Sequence, residues 1–353
     1  MKGYKGFGKG MVCRGKQYAE NTVYEEQGAK ECCREGLMHF CETPMDVLNY
    51  YPILNDDCEF NEFAEVEALD EVLIDGDKRA TKKLRIGAKL SIRDFIKAAV
   101  SVVIESTKPG KAKVSDLSDN GGYGAQIGSS GYGAQIGSSG DRAQIGSSGD
   151  WAKIGSSGDW AKIGSSGYWA KIGSSGDWAK IGSSGDGAKI GSSGDRAQIG
   201  SSGDWAKIGS SGDGAKIGSS GYGAQIGSSG DRAQIGSSGD WAKIGSSGDG
   251  AKIGSSGDWA KIGSSGDWAK IGSSGDWAKI NIRGTDSVGA AIGYGSMAKG
   301  AAGNWIVLAE WKMKTDNKWF PVCVKAGKID GEALKPDTWY KLENGEFVEV
   351  LEE

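Results

Sequence analysis

The side chains best able to do chemistry gather near the start of this chain. Five of the six cysteines lie within the first 58 residues, together with His39, the only histidine. Cys33, His39 and Cys41, with Cys13 upstream, supply groups of the kind that bind zinc. No two cysteines have the C-x2-C spacing that is typical of zinc sites. We therefore predict no metal and no other cofactor. We expect reduced thiols rather than disulfides, because no secretion signal is recognisable.

The tripeptide "CRG" at residues 13–15, with a histidine and acidic residues nearby, suggests a nucleotide-handling transferase. No pair of side chains has a spacing that identifies a nucleophile and its base. The chain is therefore predicted not to be an enzyme. An N-terminal nucleotide-handling enzyme is kept as an alternative.

The middle of the chain repeats one nonapeptide, written G-D-W-A-K-I-G-S-S. Copies begin at Gly122 and recur every ninth residue to Gly275, which makes eighteen. Ala at the fourth position and Ile at the sixth occur in every copy. The third position is Trp nine times, Gly six times and Arg three times. A flexible Gly/Ser linker is the alternative, but a linker has no reason to keep Ile at every ninth residue.

This period predicts a parallel β-solenoid, in which stacked copies build one continuous thin core. A strand through positions two to six puts Ala and Ile inside and the third and fifth residues outside, since side chains alternate. The "GSSG" segment then forms the corner. We expect two nonapeptides per coil, with three per coil as the alternative. Nine coils would give a rod of roughly 43 Å.

Two nonapeptides per coil place residues that are 18 apart on the same face. One face then carries six tryptophans with lysines beside them, and the three arginines of the repeats fall on the other face. The predicted interaction face comprises Trp151, Trp169, Trp205, Trp241, Trp259, Trp277, Lys153, Lys171, Lys207, Lys243, Lys261 and Lys279, with Lys189 beside them.

Exposed Trp beside Lys suits stacking on sugars or bases, and a large exposed apolar area usually marks an interaction site. We therefore predict a non-enzymatic structural or binding protein. It would self-associate as a homo-oligomer or bind an extended ligand, namely a polysaccharide, a nucleic acid or a host protein. Intracellular sequestration of a host factor is an alternative. Tandem duplication with drift would also produce the Trp, Gly and Arg variation, because their codons differ by one base.

The flanks divide the chain into four parts. Residues 1–108 are predicted to form an α+β domain that includes a helix in "SIRDFIKAAVSVVIEST", capped by Ser91. Residues 109–121 read as a linker and 122–303 as the solenoid. Residues 304–353 form a β-rich cap with a tight turn at "ENGE". The fold class is therefore mainly β, with both flanks expected to cap the open ends of the solenoid.

Bulk properties restrict the partners and the location. A net charge of -4 over 353 residues does not predict nucleic acid. No apolar stretch is long enough to span a bilayer, and the start lacks the apolar core of a signal peptide. We predict no membrane partner, and a location in the cytoplasm of a host cell or in a virus particle.

Three resemblances accompany these arguments. The nine-residue period is similar to the calcium-binding RTX β-roll, but the aspartate falls one place early and calcium is not predicted. The segment "VGAAIGYGSMAKGAAG" resembles the head repeats of trimeric autotransporter adhesins, which implies a β-roll. "KGFGKGMVCRGKQY", "HFCETPMDVLNYYP", "NWIVLAEW" and "KPDTWYKLENGEFVEV" resemble an uncharacterised family of phage and prophage proteins. That resemblance implies a viral origin and no particular mechanism.

Overall fold

The structure is a computed structural model that describes residues 1–27, 36–107, 122–315 and 317–350. The predicted linker, 109–121, lies outside the described residues, as do Cys32 and Cys33. The described parts form an N-terminal α+β domain, a parallel β-solenoid and a small C-terminal β cap, as the sequence predicts.

The N-terminal domain is built on a seven-stranded antiparallel sheet with the order β4-β9-β6-β1-β5-β8-β7. A separate two-stranded hairpin, β2–β3, and two helices complete it. The elements are β1 (Lys2–Phe7), β2 (Val12–Cys13), β3 (Lys16–Gln17), β4 (Val23–Glu25), β5 (Met38–Cys41), α1 (Pro44–Val47), β6 (Glu62–Ala68), β7 (Val72–Asp75), β8 (Lys78–Thr81), β9 (Lys83–Leu90) and α2 (Ile92–Thr107).

Both helices begin at capping residues. The side chain of Thr43 accepts a hydrogen bond from the N–H of Asp46, and Pro44 occupies the first position of α1. The Oγ of Ser91 accepts from the N–H of Asp94 at 3.1 Å, which confirms the cap predicted for α2. Each cap satisfies a backbone donor that the first turn of a helix would otherwise leave unpaired.

The solenoid has two nonapeptides per coil and ten coils, so it consists of two parallel sheets. Each strand pairs in register with the strand two further along the chain, so that Ile154 lies beside Ile172, 18 residues on. One sheet contains β11 (Gln135–Ser138), β13 (Lys153–Ser156), β15 (Lys171–Ser174), β17 (Lys189–Ser192), β19 (Lys207–Ser210), β21 (Gln225–Ser228), β23 (Lys243–Ser246), β25 (Lys261–Ser264), β27 (Lys279–Ile282) and β29 (Met297–Gly300). We call it the covered sheet, because the N-terminal domain lies on it.

The other sheet, which we call the open sheet, contains the alternate strands. They are β10 (Gln126–Ser129), β12 (Gln144–Ser147), β14 (Lys162–Ser165), β16 (Lys180–Ser183), β18 (Gln198–Ser201), β20 (Lys216–Ser219), β22 (Gln234–Ser237), β24 (Lys252–Ser255), β26 (Lys270–Ser273) and β28 (Val288–Ala291). The Ala and Ile side chains of both sheets form the shared core, and every one of these in the eighteen copies is at most 9 % exposed. This confirms the predicted inward pair.

The predicted position of the strand within the nonapeptide is wrong. The strand covers positions five to eight, Lys/Gln-Ile-Gly-Ser, and not positions two to six. The bend lies at positions nine to three, so the variable third residue occupies a turn. Its backbone is left-handed there, with a φ of 57° at Trp205 and 65° at Gly214. Glycine adopts this conformation without strain, which explains why it recurs at this position.

Two contacts between coils fix the turn. The Oδ1 of Asp159 accepts a hydrogen bond from the N–H of Asp177 at 2.8 Å, and most second-position aspartates repeat this bond. The first-position glycine packs directly against the preceding coil. A Cβ on Gly212 would lie 2.1 Å from the carbonyl oxygen of Gly194. No other residue fits at that position without moving the backbone.

The C-terminal cap closes one end of both sheets. Strand β30 (Trp305–Met313) pairs with β28 and is followed by antiparallel β31 (Trp319–Lys328). Strands β32 (Tyr340–Glu343) and β33 (Glu346–Glu349) extend the covered sheet as a hairpin. Its turn is at Asn344 and Gly345, both with positive φ, as expected from "ENGE". The last coil is thus paired within the chain, and β31 and β33 become the edge strands of the two sheets.

The N-terminal domain is not an end cap, contrary to our expectation. Helix α2 lies along the covered sheet and contacts strands from β11 to β21. The loop after α1 continues the contact, because Cys58 and Glu59 reach Asn281 and Arg283. The domain therefore lies lengthwise on one side of the rod rather than across its end.

Candidate interaction surfaces of the solenoid

The predicted Trp/Lys face does not exist as one surface. Because the third residue is in the turn, the tryptophans line an edge of the rod, whereas the fifth-position lysines lie on a sheet. Trp151, Trp169, Trp205, Trp241, Trp259 and Trp277 share one edge, and they are 41–57 % exposed. We call it the tryptophan edge. The rod consequently presents two edges and two sheets, each with its own chemistry.

Neighbouring rings on the tryptophan edge stack on one another. The ring centroids of Trp151 and Trp169 are 5.8 Å apart, and those of Trp259 and Trp277 are 5.2 Å apart. Since Trp241 stacks on the other side of Trp259, both faces of the Trp259 ring are occupied. The sequence had led us to expect ring faces that are free to stack on a sugar or a base. These two faces are already occupied by neighbouring rings.

Each ring leans toward the next coil and covers the third residue there. Where that residue is glycine, the ring fills the space a side chain would take. A Cβ on Gly187 would lie 2.6 Å from the ring of Trp169, and one on Gly223 would lie 2.7 Å from the ring of Trp205. On the opposite edge the guanidinium of Arg196 lies 4.8 Å from the ring centroid of Trp178, a cation–π contact. Most of the variable residues are thus matched to a neighbour.

The predicted lysines lie on the covered sheet and face the N-terminal domain. Lys189 forms an ion pair with Asp46, and Lys261 forms one with Asp56. Lys207 donates to the carbonyl oxygen of Met45 at 3.2 Å. The whole set, Lys153, Lys171, Lys189, Lys207, Lys243, Lys261 and Lys279, is buried or half-buried. These lysines serve an intramolecular interface rather than an external ligand.

Glycines at the seventh position form the floor of that interface. A Cβ on Gly227 would lie 2.9 Å from Ile53, and one on Gly245 would lie 2.7 Å from the same side chain. Leu54 lies over Gly263 in the same way, 3.0 Å from the position of a Cβ. The absence of side chains on this row lets apolar groups of the N-terminal domain pack directly on the backbone of the sheet.

Burial and pairing shift the pKa values at this interface. Burial lowers the pKa of Lys207 to about 8, and it also lowers the pKa values of Lys171 and Lys243. Burial of Asp46 acts to raise its pKa, but Lys189 outweighs this effect and the pKa lies below its usual value. The interface is therefore electrostatically complementary, with cations on the sheet and carboxylates on the domain.

The open sheet also carries Lys or Gln at the fifth position and Gly at the seventh. No described part of the chain packs on it. Its fifth-position side chains are all exposed, and they are Gln126, Gln144, Lys162, Lys180, Gln198, Lys216, Gln234, Lys252 and Lys270. Beside them runs a row of glycines, and a Cβ on Gly182 or Gly218 would meet no described atom within 4 Å. A shallow groove of about 1470 Å³ follows this row along the length of the sheet.

The two sheets share part of one pattern. On the covered sheet four successive coils carry Lys189, Lys207, Gln225 and Lys243. Each residue that lies 27 positions earlier is on the open sheet, and these are Lys162, Lys180, Gln198 and Lys216. The correspondence ends there, because Lys261 matches Gln234, and Asn281 and Arg283 match Gly254 and Ser256. The open sheet thus repeats a four-coil part of the footprint of the N-terminal domain.

Charge is balanced within nearly every copy of the repeat, a signal that our sequence reasoning missed. Each copy with Arg at the third position has Gln at the fifth, as in Arg196 and Gln198. The other copies with Asp at the second position have Lys at the fifth, and copies that begin Gly-Tyr-Gly have neither Asp nor Lys. Two copies carry a net charge, namely the one with Tyr168 and Lys171 and the last one, which ends in Arg283. Because stacking superposes like charges on successive coils, a neutral coil limits their repulsion.

The structure describes only some of the residues on which the predictions about cysteines and metals depend. Cys33 lies outside them, so the zinc set it would complete is not described. Within the described ranges, no three His, Cys, Asp or Glu side chains lie close enough together to hold a metal ion. Cys13, Cys41, Cys58 and Cys323 are free thiols. None of the described helices has both the length and the apolar character of a membrane span.

Comparison with known proteins assigns only the N-terminal domain. Residues 1–98 match the family described as a domain of unknown function (DUF7666). The match ends inside α2 and includes none of the solenoid. Neither the curated proteins nor the solved structures contain a match to the chain.

Proposed function

We propose that this protein is a non-enzymatic scaffold whose open sheet binds the surface of a protein partner. The observation that carries the proposal is the contrast between the two sheets. Lysines beside a glycine row hold the N-terminal domain on one side of the rod, and the same arrangement is exposed on the other. An arrangement of residues that makes a protein contact on one sheet is suited to make a contact of the same kind on the other.

The intramolecular contact defines the chemistry of the partner. The N-terminal domain presents Ile53 and Leu54 to the glycine row, and carboxylates such as Asp46 to the lysines. The partner would likewise present apolar side chains flanked by Asp or Glu. Five exposed lysines on the open sheet supply the complementary charge, and they are Lys162, Lys180, Lys216, Lys252 and Lys270. Many equivalent weak contacts along a rod add up through multivalency.

A peptide with the sequence of residues 43–60 is a suitable probe, because it contains the docking groups and has four acidic and no basic residues. It would be synthesised with serine in place of its cysteine. Binding to the full-length protein would be followed by fluorescence anisotropy. The test variant combines Lys162→Gln, Lys180→Gln and Lys216→Gln. Gln already occupies this position elsewhere on the sheet, so the fold should be unaffected.

Loss of three exposed ion pairs of about 0.5 kcal/mol each should weaken binding roughly tenfold. The matched control combines Lys2→Gln, Lys82→Gln and Lys97→Gln, which remove the same charge from exposed positions outside the solenoid. Equal affinity of the parent and the test variant would contradict the proposal. A DNA duplex that binds more tightly than the peptide, and is lost in the same variant, would replace the protein partner by a nucleic acid.

Self-association remains a second proposal, and the tryptophan edge favours it. Its rings are stacked on each other, so they offer a rigid apolar ridge rather than free ring faces. Such a ridge suits packing against a second copy of the chain. Sedimentation of the parent and of the Trp205→Gly, Trp241→Gly, Trp259→Gly variant tests it. A monomeric parent would exclude this proposal.

The phage origin and the place of action are also proposals. Mass spectrometry of purified virus particles would distinguish a virion component from a protein that acts on a host factor in the cytoplasm. Presence in particles in stoichiometric amounts would support the first. Recovery only in the soluble fraction of infected cells would support the second.

A further inference from the structure

The N-terminal domain contains a cavity of about 360 Å³ on the side of strands β1 and β5. Cys13, at the end of β2, lies in its wall and is half-buried. Two donors point at its sulfur, because the Nζ of Lys5 is 3.3 Å away and the hydroxyl of Tyr51 is 3.1 Å away. None of the contacts described for the solenoid uses this cavity.

The donors are held in place by the fold. Lys5 is only 4 % exposed, and its Nζ also donates to the carbonyl oxygen of His39 at 2.9 Å. The rings of Phe7 and Tyr18 lie 5.4 Å from the ammonium group. Gly6 lets Tyr51 approach, since a Cβ there would lie 2.4 Å from the Cβ of Tyr51. A buried ammonium group requires a partner of opposite charge or several acceptors.

A thiol is a poor hydrogen-bond acceptor, whereas a thiolate is a strong one. Two donors directed at one sulfur are therefore better matched to the thiolate. Cys41, which lines the same cavity, provides a contrast. Burial and nearby carboxylates raise its pKa to about 12, so it remains a thiol at neutral pH.

The rest of the cavity wall is cationic and aromatic. Arg14 and Lys78 line it without an ion-pair partner among the described residues. The Nζ of Lys78 lies 4.6 Å from the ring centroid of Tyr50, and Lys16 pairs with Glu26. The side chain of His39 is kept neutral, because burial and the neighbouring Arg14, Lys5 and Lys78 lower its pKa. Because Lys5 faces the Cys13 sulfur and Lys16 faces Glu26, Arg14 and Lys78 give the cavity wall a positive character. It is thus suited to a carboxylate or phosphate group.

We propose that this cavity binds a small organic anion, carboxylate or phosphate, next to a reactive Cys13 thiolate. Lys5 and Tyr51 are positioning residues that stabilise the sulfur anion, and Arg14 and Lys78 attract the ligand. An electrophilic carbon on such a ligand lies within reach of the sulfur. The Sγ electron pair would form the S–C bond while the leaving group departs with the pair of the broken bond.

Iodoacetate is a probe that has both features, a carboxylate and a carbon that loses iodide on attack by a thiolate. Alkylation of Cys13 in the full chain at pH 7 would be followed by peptide mass spectrometry, with the urea-unfolded chain as reference. Iodoacetamide, its neutral analogue, separates thiolate reactivity from anion binding. We expect iodoacetate to react with Cys13 at least ten times faster in the folded chain than in the unfolded one. The ratio of the iodoacetate rate to the iodoacetamide rate should also be higher in the folded chain.

Two variants test the positioning residues. Tyr51→Phe removes one hydroxyl and keeps the packing, and it should slow the reaction several-fold with both reagents. Lys5→Met should slow it further, and Lys2→Met, on the same strand but exposed, should have no effect. Arg14→Gln should lower the ratio of the iodoacetate rate to the iodoacetamide rate, because it removes a cation from the cavity wall.

Two results would overturn the proposal. A Cys13 that reacts no faster in the folded than in the unfolded chain would exclude the reactive thiolate. A reagent preference that is the same in both states would exclude the anion site. Because Tyr51→Phe loses only a hydroxyl, the test does not depend on whether Lys5→Met folds.

Discussion

Trp241 and Trp259 lie one coil apart on the same edge, with ring centroids 5.3 Å apart and planes 9° from parallel. Both residues have left-handed backbones, with φ of 59° and 58°. This conformation costs a non-glycine residue roughly 1–2 kcal/mol. Stacking and cation–π contacts offset the strain where the third residue is Trp or Arg, and glycine avoids it. Trp, Arg and Gly at the third position therefore each accommodate the left-handed backbone of the turn in a different way.

Removing the middle ring of a stack should change the spectrum more than the stability. Trp259→Gly loses two stacked pairs, each worth about 0.5–1.5 kcal/mol, and relieves the strain of the turn, so the two effects nearly cancel. We expect the far-UV exciton signal of stacked indoles to fall sharply in circular dichroism. Trp268→Gly is the control, because Trp268 has no aromatic stacking partner among the described residues. An unchanged exciton signal in Trp259→Gly would contradict the stack.

Adding one methyl group at two glycines of the same coil should have opposite outcomes. In Gly212→Ala the new Cβ would meet a backbone carbonyl at 2.1 Å, so we expect a loss of about 3 kcal/mol or more. In Gly218→Ala the Cβ points into open space, so the free energy of unfolding should stay within about 1 kcal/mol of the parent. Urea unfolding measures both. Equal stability of the two variants would mean that the coils do not stack as described.

Docking of the N-terminal domain should weaken in acid. The pKa values of Asp46, Asp56 and Glu59 lie below their ordinary values because of lysines and an arginine on the solenoid. A lowered carboxyl pKa contributes stability above the ordinary value, and this is lost as the pH falls through the lowered value. We expect limited proteolysis to cleave within the docked residues 43–60 only in that acidic range. Asp46→Asn should move the onset toward neutral pH, and an unchanged onset would argue against the ion pair.

Alkaline solution should strengthen the interface instead. Burial lowers the pKa of Lys207 from 10.5 to about 8, so between these values the folded protein binds fewer protons than the unfolded chain. The contribution of Lys207 to stability therefore rises with pH in this range. Lys207→Gln should flatten the rise, as measured by urea midpoints at pH 8 and 10. Above pH 9 the thiols of Cys41 and Cys58 act in the opposite direction, because burial raises their pKa values to about 12. Above pH 10 Tyr18 and Tyr51 do the same, because burial raises their pKa values too.

Much of the solenoid could be predicted from the sequence because the repeat is nearly invariant. Ala and Ile in every copy identify the core, and an 18-residue coil follows from a core that contains only small and medium side chains. The strand position was missed because alternation fits more than one register. The glycines at the third position, such as Gly187, were the signal that this residue lies in a turn.

The placement of the N-terminal domain could not be predicted in the same way. It depends on Ile53, Leu54 and Asp46 meeting particular glycines and lysines far along the chain, and no local pattern encodes such a meeting. The tryptophans and lysines also look adjacent in the sequence of the repeat. Only the turn at the third position separates them, with the rings on an edge and the lysines on a sheet.

The pairing of residues 18 apart has a consequence for how the length of this rod can change. Insertion or loss of two nonapeptides adds or removes one coil, about 4.8 Å, and leaves every surface where it was. Gain or loss of a single nonapeptide turns all that follows by half a revolution, so the covered and open sheets exchange roles beyond that point. The genes of viable length variants should therefore differ by multiples of 54 base pairs, so that the rod changes its length only by whole coils.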